Sequence, residues 1–116
     1  MSEEREIEKI QKLAQKKKSE KIEKYLKDKD VEVVKAAIVA LGEIQDETAI
    51  NLLSKLIDHE NPEIRKVAIV AFGKSKSEYA RTFIQHRLES EKDEQIKEIA
   101  MKVLQQGVIG KRKRQS

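Results

Sequence analysis

Three stretches of this chain are copies of one another, and that repetition limits the fold more than any other feature. Asn61 to Gly73 reads NPEIRKVAIVAFG, Asp30 to Gly42 reads DVEVVKAAIVALG, and Asp93 to Gln105 reads DEQIKEIAMKVLQ. The copies recur at a period of 31 to 32 residues. Each opens on Asp or Asn and carries apolar residues at helical spacing. A fixed period of this length marks supersecondary units that stack, because one unit cannot bury its own apolar face.

Around the copies the chain alternates helix and turn, and no segment alternates with the period of a strand. The first helix is expected over 3–17, with Ile7, Ile10, Leu13 and Ala14 on one face and Lys16 to Lys18 at its negative end. A short helix over 20–28 follows, with Ser19 as its N-cap. Asp30 then caps 31–43, Asp46 caps 47–57, Asn61 and Pro62 open 62–73, Ser77 opens 78–89, and Asp93 caps 94–106. Gly42 and Gly107 are expected where helices end. The inward stripes are Val33, Ala36, Ala37, Ala40, Leu41 and Ile44, then Ile64, Val67, Ala68, Ala71 and Phe72, then Ile96, Ile99, Ala100, Val103 and Leu104. Phe83 is expected inward on 78–89. The fold class is all-α: three helix pairs over 19–43, 46–73 and 77–106, an N-terminal capping helix, one domain over 1–110, and a flexible basic tail over 111–116.

Charge sharpens the picture. The net charge is +4, and Lys111, Arg112, Lys113 and Arg114 account for it, so the body is neutral. No cysteine is present, which excludes disulfides, thiolate chemistry and Cys-ligated zinc. His59 and His86 are the only histidines and lie far from metal-ligand spacing. No glycine-rich phosphate loop occurs. The apolar runs fall well short of the ~20 residues needed to span a bilayer, and the charged start lacks a signal-peptide core. The expectation is a cytoplasmic, non-enzymatic protein with no cofactor, no metal and no membrane partner.

The repeat, together with the openings Asp46-Glu47-Thr48-Ala49 and Ser77-Glu78-Tyr79-Ala80, resembles the HEAT-repeat family in the short form also found in phycobilisome lyase subunits. The resemblance covers 19–106. It implies an α-solenoid in which 20–28, 47–57 and 78–89 are convex A helices, and 31–43, 62–73 and 94–106 are B helices lining a concave side. It also implies an Arg near the start of helix B that braces neighbouring repeats through an Asp. Only Arg65 matches; Val34 and Lys97 stand at the equivalent positions.

Aligning the B helices brings Lys35, Lys66 and Glu98 into one row, and Val39, Val70 and Lys102 into the next. With Arg65 and Lys97, these are the candidate partner-binding residues of a concave groove suited to an acidic or amphipathic segment of a protein. The competing reading packs Val39 and Val70 against adjacent B helices. The runner-up function is an accessory nucleic-acid-binding protein that uses Lys111, Arg112, Lys113 and Arg114, helped by Lys16 to Lys18, without aromatic stacking platforms. Self-association through an apolar edge at Val103, Val108 and Ile109 is a third possibility.

Overall fold

A computed structural model describes the backbone of residues 2–115 and the side chains of residues 3–106. Seven helices and one 3₁₀ segment follow in order, and no strand occurs among the described residues. The helices are α1 (Ser2–Gln15), α2 (Ser19–Ile22), α3 (Val31–Ile44), α4 (Glu47–Leu56), α5 (Pro62–Gly73), α6 (Glu78–Ser90) and α7 (Glu94–Gln115), with the 3₁₀ turn Glu23–Lys27 after α2. They form two layers. In one, α1 packs on α3, α3 on α5, and α5 on α7. In the other lie α2 with its 3₁₀ turn, α4 and α6. The arrangement is an α-solenoid measuring 48 × 31 × 20 Å.

The helix starts are set locally. Asp30 accepts the Glu32 N–H at 2.9 Å, Asp46 the Ala49 N–H at 2.9 Å, Asn61 the Glu63 N–H at 2.9 Å, Ser77 the Ala80 N–H at 3.1 Å, and Asp93 the Gln95 N–H at 2.9 Å. Each satisfies an N–H that the first turn leaves without an intrahelical partner. Pro62 sits in the first turn of α5, where a missing N–H costs nothing. One device repeats just outside the caps. The residue two before each B-helix cap accepts the cap's own N–H: Asp28 from Asp30 at 2.9 Å, His59 from Asn61 at 3.0 Å, and Glu91 from Asp93 at 3.1 Å. His59 is therefore a turn acceptor through Nδ1.

Four expectations need correction. Ser19 is not an N-cap. It lies within α2, fully buried, and its Oγ donates to Asp46 Oδ1 at 2.8 Å, tying α2 to the start of α4. The helix expected over 20–28 is one α turn followed by a 3₁₀ turn that ends where Asp28 turns extended to serve the next cap. Gly42 does not end its helix: α3 runs to Ile44, and the left-handed residue beyond it is Gln45, at φ 56°. The helix expected to stop at Gly107 continues to Gln115. An interior glycine costs only about 1 kcal/mol, and no proline follows to force a stop. The side chains of the tail, including Val108 and Ile109, lie outside the described residues.

Gly42 and Gly73 instead set how closely the B helices approach. A Cβ on Gly42 would stand 2.8 Å from the Ala71 Cβ, and one on Gly73 would stand 2.3 Å from Val103 Cγ1. The same pair of repeat positions meets at both contacts. Val103 is thus packed against α5 and is not a free edge. Interior B helices meet a neighbour on either side and the second layer behind them. This buries Val34, Ile38 and Ile69 outside the expected stripes.

Candidate partner-binding surface

The aligned rows fall on the B layer, on α3, α5 and α7. Val39 is 44% exposed and Val70 is 43% exposed, so neither is packed away against a neighbouring helix. They occupy equivalent positions on adjacent helices, nine residues after Asp30 and Asn61. Lys102, at the same position of α7, is exposed, as is Glu98 one turn before it.

The charges beside the strip differ from repeat to repeat. Lys35 reaches Glu32 on its own helix and Glu63 on α5, both at 3.3 Å, and these carboxylates raise its pKa. The equivalent contact of Lys66 would fall on residue 95, which is Gln. Lys66 accordingly makes no ion pair among the described residues. Lys97 pairs with Glu94 at 3.1 Å, within its own helix. The lysine of the strip is paired along α3 and unpaired on α5, while α7 presents both Glu98 and Lys102.

Arg65 does something else. Its Nε and Nη2 donate to Glu91 Oε1 and Oε2, both at 2.9 Å, while Nη1 donates to the His59 and Glu60 carbonyls. The guanidinium is spent holding the turn before α7 and is not offered to a partner. Arg87 Nε lies 3.4 Å from the same carboxylate, and Arg87 Nη1 donates to Asp58 at 3.3 Å. Burial pushes the Glu91 carboxyl upward, but hydrogen bonds from Arg65 and the Asp93 N–H, with the charges of Arg65 and Arg87, hold it below its ordinary 4.5. The brace implied by the family pattern exists once, with Glu in place of Asp.

A model of HEAT repeats matches residues 6–105. The chain belongs to the HEAT-repeat family. Neither the curated proteins nor the solved structures contain a match. HEAT repeats are in general protein-interaction scaffolds and typically non-enzymatic. No group of three or more His, Cys, Asp or Glu among the described residues is placed to hold a metal ion, and no described helix is long and apolar enough to cross a membrane.

Two surface features of this HEAT-repeat chain escaped the sequence reading. Met101 is 47% exposed although it aligns with Ile38 and Ile69, both fully buried. Phe83, expected inward, is 37% exposed and lies tilted against Tyr79 at a centroid distance of 4.8 Å, while both rings meet the buried Phe72 edge-on. Three of the four aromatic rings gather there. The side chains of Lys111, Arg112, Lys113 and Arg114 lie outside the described residues.

Proposed function

We propose that this protein is a non-enzymatic adaptor that docks a segment of a partner protein along the B-helix strip. Val39 and Val70 are the apolar contacts, and Lys66, Glu98 and Lys102, with Lys35 and Lys97 at the edge, are the polar rim. One observation carries this reading. Two β-branched residues stand nearly half exposed at equivalent places on neighbouring helices, in a chain whose other Ile, Leu and Val side chains are mostly withdrawn from water. Surrounding charge supplies orientation and on-rate more than affinity. Lys66 and Lys102, neither in an ion pair among the described residues, favour an occupant with carboxylates beside them. The test is affinity capture to obtain a partner, then direct binding of the purified pair. Val39→Glu with Val70→Glu should abolish it while the fold is retained. Unchanged binding would dismiss the strip as the site.

A further inference from the structure

A second surface lies at the opposite end of the stack, where α1 meets α2 and the 3₁₀ turn. Between Lys9 and Lys24 the chain carries seven lysines against two glutamates. Five of those lysines, Lys9, Lys12, Lys16, Lys21 and Lys24, converge on one cleft of about 580 Å³. Leu13 and Tyr25 also line it, and Glu20 is its one acidic residue. Among the described residues outside the cleft, Lys35, Arg65, Arg87 and Lys97 each sit in an ion pair, whereas others such as Lys66 and Lys102 do not. In the cleft only Lys9 does, with Glu6 at 3.3 Å. Lys12, Lys16, Lys21 and Lys24 have no carboxylate within ion-pair distance among the described residues, and Lys24 Nζ instead lies 5.2 Å from the centre of the Tyr25 ring.

The lysines partly answer local needs. Lys16 to Lys18 follow the end of α1, where Lys17 takes the left-handed conformation and the Lys18 and Lys17 N–H groups close onto the Leu13 and Ala14 carbonyls. Lys12, Lys21 and Lys24 lie in the last turns of α1, α2 and the 3₁₀ segment, where a cation is also favoured, yet together with Lys9 and Lys16 they sit around one hollow.

We propose that this cleft is a docking site for an acidic amphipathic segment of another protein, separate from the B-helix strip. The chemistry of the walls selects that occupant. Lysine stems, Leu13 and the Tyr25 ring form an apolar lining, and the ammonium groups stand at its edge, as long cationic side chains do when their stems are covered. An apolar anchor flanked by carboxylates satisfies both parts. A polyphosphate chain would satisfy only the charges. Tyr25 is just 6% exposed and cannot stack on bases.

Fluorescence anisotropy on the full chain tests this, using a short labelled helix-forming peptide with leucine at i, i+3 and i+7 and glutamate elsewhere. Saturable binding is expected. It should weaken roughly tenfold or more when serine replaces the leucines, when salt is raised, and when Lys12 and Lys21 are both changed to Glu. Those two side chains are exposed, so melting curves should match the parent. If that pair does not fold, Lys16→Glu with Lys24→Glu provides the same reading. Val39→Glu with Val70→Glu should leave peptide binding unchanged, which keeps this result independent of the strip. The proposal is overturned by absence of binding, by equal binding of the serine peptide, by tighter binding of a single-stranded oligonucleotide of equal charge, or by charge-reversed variants that bind as the parent does.

Discussion

Replacing Glu91 with alanine removes a buried carboxylate that links two helix pairs, and the consequence can be sized from its contacts. The Glu91 side chain is 1% exposed, and its partner Arg65 is 15% exposed. Glu91 accepts two hydrogen bonds from Arg65 and one from the Asp93 N–H, with Arg87 3.4 Å away. Truncation leaves the Arg65 guanidinium without its carboxylate in a largely buried site, beside Arg87, whose remaining counter-charge is Asp58. Breaking one partner of a buried pair costs about 3–5 kcal/mol. A domain of this size is held by only about 5–15 kcal/mol. At roughly 3–5 °C per kcal/mol for a chain of this length, Tm should fall by about 10–20 °C. Glu91→Gln keeps the shape and some acceptor capacity and should cost less. The pH dependence supplies an independent check. The folded-state pKa lies below the unfolded value, so the contribution of Glu91 is fully present above the ordinary carboxylate range and is lost as pH falls through the folded pKa. The gap between parent and Glu91→Gln should therefore narrow on acidification. Thermal melts of both variants and the parent across that range settle the matter. A Glu91→Ala protein that melts within about 1 °C of the parent, or a gap independent of pH, would refute the brace.

Three further outcomes are expected. Gly42→Ala should destabilise by about 1–3 kcal/mol in chemical denaturation, because its methyl would meet Ala71 at 2.8 Å and outweigh the better helix propensity; a neutral result would mean that the helices part freely. Gln45→Gly should stabilise by roughly 0.5–1 kcal/mol, since Gln45 holds φ 56° after α3, where glycine carries no Cβ strain; a lower Tm would contradict this. Glu3 has its pKa raised, first by a hydrogen bond with Asp30 and then by the charge of Asp30. Its favourable contribution is present below the ordinary carboxylate value and is lost as pH rises through the folded one, so Glu3→Gln should raise Tm at neutral pH more than in acid, as melts at two pH values would show.

Much of this architecture could be read from the chain before any coordinates. The caps Asp30, Asp46, Asn61, Ser77 and Asp93 and the period of the apolar residues are local properties, set by backbone groups within a turn of the residue concerned. They determined where the helices begin, that the fold is all-α, and that the units stack. The same alignment placed Val39 and Val70 in one row.

What only the tertiary structure decided concerns partners far apart in sequence. Glu91 looked like one more charge in a polar turn; it is buried because Arg65, on the preceding B helix, reaches across to it. Gly42 looked like a helix stop and proved, like Gly73, to be a contact point, since whether a missing Cβ serves a turn or a neighbour depends on what packs there. The lysine-lined cleft joins side chains of α1 to those of α2 and the 3₁₀ turn, across a bend no periodicity describes. Local pattern sets secondary structure because its hydrogen bonds close within a few residues, whereas burial and charge pairing are settled only when the layers meet.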